Sequence, residues 1–335
     1  MEGQHNRQLP LVSIIIPTYN QREHFLKESI ESAISQTYPN TEIILSDNHS
    51  TNGTSAIIAA YAQKDKRIRI IRPSQFLSLI ENFIFAYSQA QGQYICPLSS
   101  DDILYPELIE EHLQPFFTYP ELSFSYSIPL YFVTGINAAK WHSDKLATGF
   151  YPADLFLEIY IKRRHCSWGG ILFKTADYNK IGGFLKEFAY AADVDLIIKL
   201  ILLNGGVYCI NKRLSAIRQW TRDEHTNRTP YAYAAFAKIL DNIENEAIEN
   251  KINLRMGIAK KAKKNVFAGE VFPIAYFIHF KKRSPDILEK TVAVVNENYP
   301  TGIYNFVIKN RKNFIGLAFS FGYLSFKKIR KLFKY

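Results

Sequence analysis

A chain of 335 residues with 47% hydrophobic content can bury a full core and has room for one large domain and a smaller one. Its cysteines, Cys96, Cys166 and Cys209, are odd in number and far apart, which argues against a disulfide framework and against zinc. The net charge of +10 is unevenly placed: residues 1–250 carry 23 Lys and Arg against 27 Asp and Glu, residues 251–335 carry 18 against 4, so the basicity belongs to the tail and a uniformly basic, nucleic-acid-binding body is excluded.

Residues 1–10 are polar and are expected to be disordered; with no apolar signal core there and no apolar run long enough to span a bilayer, a cytoplasmic protein is expected. LVSIII (11–16) is short and β-branched and stops at Pro17. From Arg22 to Thr37 the apolar residues Phe25, Leu26, Ile30, Ala33 and Ile34 recur at helical spacing. EIILSD (42–47) is a strand, 54–63 a helix, RIRIIR (67–72) a strand, 76–90 a helix and YICPL (94–98) a strand. This alternation predicts an α/β fold with a mostly parallel sheet covered by helices. Ligands of such sheets bind beyond the carboxyl ends of the strands, where three polar clusters fall: Pro17 to Asn20, Asp47 to Thr51, and Ser99 to Asp102.

Past residue 120 the pattern loosens into strand-like pieces (122–133), a strand at CSWGGILFK (166–174), a turn at IGGF (181–184), a helix at 193–204 and a strand at GVYCI (206–210). The composition shifts between 230 and 255, which divides a sheet domain (11–230) from a basic, mainly helical C-terminal region (231–335).

In YICPLSSDDILYP the adjacent carboxylates Asp101 and Asp102 need a reason to coexist. Helix N-terminal chemistry around Pro106 and Glu107 is one; a divalent cation that in turn binds a diphosphate is the other. Read from the residues alone, Asp47 with Asn48, Ser50 and Thr51 fits an Asx turn, and Asp193 a helix N-cap.

Four stretches, VSIIIPTYNQ, SAISQTYPNTEIILSDNHSTNGT, NFIFAYSQAQGQYICPLSSDDILYP and WGGILF…IGGF…AADVDLIIKL, together resemble family 2 glycosyltransferases, which adopt the GT-A fold, a Rossmann-like α/β architecture. The resemblance runs over residues 11–225 and implies an inverting, metal-dependent transfer of a sugar from a nucleotide-diphosphate donor, UDP- or dTDP-linked, to a hydroxyl of a glycan or lipid-linked acceptor in cell-surface polysaccharide synthesis. It places Pro17, Thr18, Tyr19 and Asp47 on the nucleotide and Ser99, Ser100 and Asp102 on the donor. It makes Asp101 the ligand of Mn²⁺ or Mg²⁺, with Asp102 as second ligand and His225 closing the site, and Asp193 the catalytic base. Trp168, Gly169 and Gly170 fall where the sugars approach the sheet.

Three positions depart from the pattern: Ser99 replaces the first acid of D-x-D-D, Asn48 stands where a second acid is common, and Ala192 stands in place of the Glu of the family's E-D-x-x-L segment. The rivals are a nucleotidyltransferase, for which PTYNQREH lacks the glycine-rich loop, and a non-catalytic protein that binds sugar nucleotides or RNA. In the tail, Leu317, Ala318, Phe321, Leu324, Ile329 and Leu332 share one helical face and Lys327, Arg330, Lys331 and Lys334 the other. That pattern fits a helix lying on an anionic membrane surface, at the inner face, or one packed on the catalytic domain; nucleic acid is not the expected partner.

Overall fold

The computed structural model describes residues 9–132, 146–163, 168–219, 229–255, 257–266 and 293. The chain divides into two compact units, 1–221 with 247–254, and 222–246 with 255–335. In the first unit strand and helix alternate from the outset: β1 (Val12–Thr18), α1 (Glu23–Ile34), β2 (Thr41–Asp47), α2 (Thr54–Lys64), β3 (Ile68–Ile71), α3 (Leu79–Tyr87) and β4 (Tyr94–Pro97). There follow β5 (Ile103–Leu104), α4 (Leu108–Thr118), β6 (Leu122–Ser127), β7 (Leu130–Phe132), β8 (Gly149–Pro152), α5 (Ala153–Arg163), β9 (Ile171–Lys174), α6 (Thr175–Lys180), α7 (Ala192–Leu203), β10 (Gly206–Ile210) and β11 (Ser215–Arg218).

The main sheet has the order β3-β2-β1-β4-β9-β6-β10-β8, and only β9 and β8 run against the rest. Every residue of β1 and β2 is buried, which is why both read as continuous apolar runs rather than alternating ones. A small second sheet, β5-β11-β7, sits beside it. Within the second unit, α9 (Ile258–Val266) buries Ile258, Ala259 and Ala262, leaves Lys260 and Lys261 exposed, and pairs Lys263 with Asp241 of α8 (Thr229–Glu249). No helix among the described residues is long and apolar enough to cross a membrane, and the amphipathic segment after residue 314 lies outside them.

The register sets the working edge. Thr18 faces Asp47 across β1 and β2, and the last bond from β4 is Leu98 N–H to the Ile15 carbonyl at 3.1 Å. Pro17, two residues on and facing the same side, therefore lies past β4 and misses no ladder bond for want of an N–H. Helix α1 braces the chain beyond β4: Ser29 Oγ donates to the Ser99 carbonyl at 3.0 Å, Ser32 Oγ accepts from Leu104 N–H at 3.1 Å, and the Gln36 amide bridges the Tyr105 carbonyl and Ile109 N–H.

Two boundaries differ from the sequence reading. Helix α3 starts at Leu79 rather than 76, because Ser78 caps it and exchanges hydrogen bonds with Glu81 in a capping box. The strand expected over 166–174 starts only at Ile171; Trp168–Gly170 is a tight 3-10 turn.

His112 of α4 is wholly buried against β6. Ser125 Oγ donates to the His112 carbonyl at 2.8 Å and lies 3.1 Å from the ring Nδ1. Burial holds the imidazole neutral, its pKa lowered to about 3. The unfolded chain thus binds a proton there that the folded chain does not, so stability is full above the ordinary His pKa and falls as pH drops from 6.5 toward 3, by about 1.4 kcal/mol per pH unit. In urea melts between pH 7 and pH 4.5, His112→Asn, which keeps an Nδ-like amide, is expected to remove that part of the acid sensitivity; equal slopes for parent and variant would contradict it.

Candidate active site

At the edge where β1 and β2 end, two loops are stitched together. Asn20 and His49 both take left-handed backbone conformations, φ 45° and 58°; Asn20 Oδ1 accepts from Thr51 N–H at 2.7 Å, and Asn20 N–H donates to Ser50 Oγ at 2.9 Å. Between them lies Asp47, 2% exposed. Burial pushes its pKa up, but donation from Ser55 Oγ at 2.6 Å and Ser50 N–H at 3.0 Å, with the Arg72 guanidinium 3.5 Å away, outweighs burial and holds it below the usual carboxylate range. The turn geometry and the ionised carboxylate are thus one arrangement.

Tyr19 projects from this edge, 48% exposed, with its ring centroid 5.0 Å from that of Phe76, itself 57% exposed. Solvent-facing aromatics are held there because Asn48 clamps the loop that carries Phe76: its Nδ2 donates to the Leu77 carbonyl at 2.8 Å and its Oδ1 accepts from Leu77 N–H at 2.9 Å. A carboxylate at 48 could not make the first of these bonds.

On the next loop Ser100 Oγ accepts from Gln21 Nε2 at 2.9 Å, and Asp102 N–H returns to the Ser99 carbonyl at 3.1 Å. Asp101 and Asp102 are 9% and 5% exposed. Burial, then the Asp101 charge, raise the Asp102 pKa far above the usual range, against the Arg218 N–H donated to Asp102 Oδ1 at 2.8 Å and a hydrogen bond from Ser99. Two buried neighbouring carboxylates with serine hydroxyls beside them form a hard-oxygen donor set, and this fits Mg²⁺ or Mn²⁺ shared with substrate phosphates. Among the described residues no three His, Cys, Asp or Glu side chains gather into a protein-only cage, and His225 lies outside those residues.

Gly169 runs directly against the pair: a Cβ there would stand 3.3 Å from Asp102 Oδ2 and from Ile217 Cγ1. At Gly170 a Cβ would come within 2.9 Å of the Ser127 carbonyl, so the turn closes only without side chains. Trp168 corrects an expectation. Its ring is 9% exposed, packed among Tyr87, Phe173 and Phe184, and its Nε1 donates to Tyr87 Oη at 3.1 Å, so it is a core residue and offers no face to a sugar.

Asp193 is the second residue of α7, not its N-cap; that position is Ala191, which makes no side-chain capping bond. Asp193 is half-buried, whereas Asp195 is buried and ion-paired with Lys199 at 2.8 Å. The turn before α7 is tied to the first turn of α3 by Lys186 and Glu81 at 2.7 Å, which brings the start of α7 toward the same edge of the sheet.

Residues 13–182, just over half the chain, match the pattern of Glycosyl transferase family 2. The chain belongs to glycosyltransferase family 2. Among curated proteins it is similar to the putative teichuronic acid biosynthesis glycosyltransferase TuaG of Bacillus subtilis, 33% identical over 31% of this chain and 41% of TuaG. The matches span about a fifth to two fifths of the first such relatives' own length. Among solved structures it resembles S. aureus TarS 1–349 in complex with UDP-GlcNAc (TM-score 0.63, 15% identity, 86% of this chain and 80% of that one). It also resembles the mannosyltransferase PcManGT of Pyrobaculum calidifontis in complex with GDP-Man and Mn²⁺ (TM-score 0.56, 15% identity, 87% and 88%). At such identity the likeness is one of fold, and the fold is GT-A.

For this family 2 chain the sequence missed Phe76, Arg72 and Arg218. Phe76 was absorbed into a helical pattern, and the two arginines meet their carboxylates only through the fold. If Tyr19 and Phe76 form one wall for a base, Phe76→Ala should weaken nucleoside diphosphate binding about 5- to 100-fold while leaving the melting temperature unchanged, since stacking is worth about 1–3 kcal/mol per base. Calorimetry with UDP and GDP decides this, and parental affinity in the variant would remove Phe76 from the site.

Proposed function

We propose that the protein is an inverting, divalent-cation-dependent glycosyltransferase that moves a sugar from a nucleoside-diphosphate sugar to a hydroxyl of a glycan or lipid-linked acceptor in cell-surface polysaccharide synthesis. The observation that carries this reading is the convergence of a buried ionised acceptor, Asp47, and a buried carboxylate pair, Asp101 and Asp102, on one edge of a GT-A sheet. The nucleotide-sugar complexes of TarS and PcManGT, the Mn²⁺ of the latter and the teichuronic acid role printed for TuaG support it.

Asp47 accepts an N–H of the base beside Tyr19 and Phe76, and Pro17 and Thr18 shape the strand end beneath it. Asp101, with Asp102 and His225, would hold Mn²⁺ or Mg²⁺, which would supply positive charge to the leaving diphosphate. Ser99 and Ser100 line the donor's diphosphate and ribose, and Gly169 and Gly170 let it approach the sheet. The acceptor oxygen forms its bond to the anomeric carbon as the bond from that carbon to the diphosphate oxygen breaks. Asp193 takes the hydroxyl proton on the attacking side, so the anomeric configuration inverts. UDP- and dTDP-sugars are the favoured donors. The basic C-terminal region holds the enzyme at the inner face of the membrane, near a lipid-linked acceptor.

Release of nucleoside diphosphate from a panel of nucleotide sugars, with and without Mn²⁺, tests the reaction; a chain that binds sugar nucleotides without ever turning them over would be a binding protein on this fold. Asp193→Asn should retain donor binding and lose about 10²-fold or more in turnover, whereas Asp101→Ala should lose the Mn²⁺-dependent part of donor binding with its fold intact. Near-parental turnover in the first variant would move the base elsewhere. For the membrane reading, deletion of residues 314–335 should release the protein from phosphatidylserine-containing vesicles in co-sedimentation, and unchanged pelleting would refute it.

A further inference from the structure

Arg218 ends β11 and lies 116 residues beyond Asp102 in the chain, yet it meets Asp101 and Asp102 through two groups and α1 through a third. Its backbone N–H donates to Asp102 Oδ1 at 2.8 Å, and its Nε–H donates to the Asp101 carbonyl at 3.1 Å. Its Nη2 pairs with Glu28 Oε2 of α1 at 2.6 Å. The guanidinium plane is fixed besides by two aromatic faces, Phe25 with its centroid 3.7 Å from Cζ and Phe132 at 4.4 Å, and the residue is only 7% exposed. β11 also pairs with β5, the two residues that follow shortly after Asp102, so the same strand fixes the chain on the far side of the pair.

We propose that Arg218, anchored by Glu28, is the positioning residue for the Asp101–Asp102 cation site. The Asp101 carbonyl and the Asp102 carboxylate are thereby held by one residue, which restrains the peptide that carries the Asp101 side chain. The backbone donor would survive any substitution, but the Nε–H bond, the ion pair to α1 and the aromatic sandwich require a planar fork that lysine lacks. The Asp101–Asp102 loop is thereby locked to α1, which already holds the Ser99 carbonyl through Ser29. Glu28 is half-exposed and its carboxylate balances a buried cation that would otherwise add its charge beside the site. Arg218 touches no reacting atom in this scheme and acts through the carboxylates.

The inference rests on the metal reading of the pair given above. It is tested by titrating Mn²⁺ into the full chain with UDP or GDP, read by electron paramagnetic resonance of free Mn²⁺, alongside melting temperature and nucleotide affinity in EDTA. Residues that orient a metal ligand without binding the metal typically change its affinity 10- to 100-fold. Arg218→Lys is therefore expected to raise the half-saturating Mn²⁺ concentration about tenfold or more, with EDTA-condition nucleotide affinity unchanged, and Glu28→Gln to raise it severalfold in a protein of near-parental stability. A variant with a lower melting temperature but parental Mn²⁺ affinity would show a merely structural Arg218 and overturn the proposal. Should Arg218→Lys fail to fold, Glu28→Gln decides alone, and parental Mn²⁺ affinity in it overturns the proposal equally. A parent that binds nucleotide but takes up no Mn²⁺ with it would refute the metal reading itself, a result distinct from either.

Discussion

Repulsion between Asp101 and Asp102 is the constraint around which the neighbouring structure is arranged. At less than a tenth exposure both carboxylates lose hydration, and burial and then the Asp101 charge raise the Asp102 pKa, so a chain that keeps both must supply donors, cations or a bound ion. Four elements answer. Helix α1 brings Ser29 and Ser32 to the loop, the turn at Ser99 closes on Asp102, β11 donates Arg218, and Gly169 lets the backbone pass within van der Waals distance of Asp102.

Two of the departures from the family pattern, Asn48 and Ser99, become intelligible in the same terms. Asn48 trades a second charge at the nucleotide end for a two-way clamp on Leu77, and the result is a fixed loop with Phe76 against Tyr19. A carboxylate there would have competed with Asp47 for the Ser and Arg donors and left the Leu77 carbonyl unpaired. Ser99 removes a third charge from a loop that already struggles with two, and its hydroxyl instead donates to Asp102. Both changes lower the local negative charge without removing a hydrogen bond.

What the sequence could disclose follows from range. The β/α alternation was legible to within a few residues because strands buried on both faces are unbroken apolar runs and the helices between them carry one apolar stripe. The three loop clusters were legible because strand direction alone sends them to one edge. Helix α3 was read too long, since QFLSL continues a helical period that only the Ser78–Glu81 exchange interrupts. Trp168 was misread for a different reason: whether an indole faces a ligand or a core depends on Tyr87, about eighty positions away, and on Phe184 beyond it. β11 and its Arg218 were invisible, four residues without periodicity whose partners are on α1, β5 and β7.

One chemical group, the carboxylate, is placed in three environments here, and the differences follow from what surrounds each. Asp47 is buried but over-supplied with donors, so it stays ionised and suits a fixed acceptor for a base N–H. Asp102 is buried beside a like charge with too few donors, so its pKa rises and the pair gains from any cation that arrives. Asp193 stands half-buried in the first turn of α7, two residues before the buried Asp195 that pairs with Lys199. The helix that presents it starts after Ala189, a non-glycine residue at φ 35°, so the chain accepts local strain where α7 begins. Asp47 and Asp102 come from the ends of parallel strands and the loop that follows one of them, whereas Asp193 is carried on a separate helix.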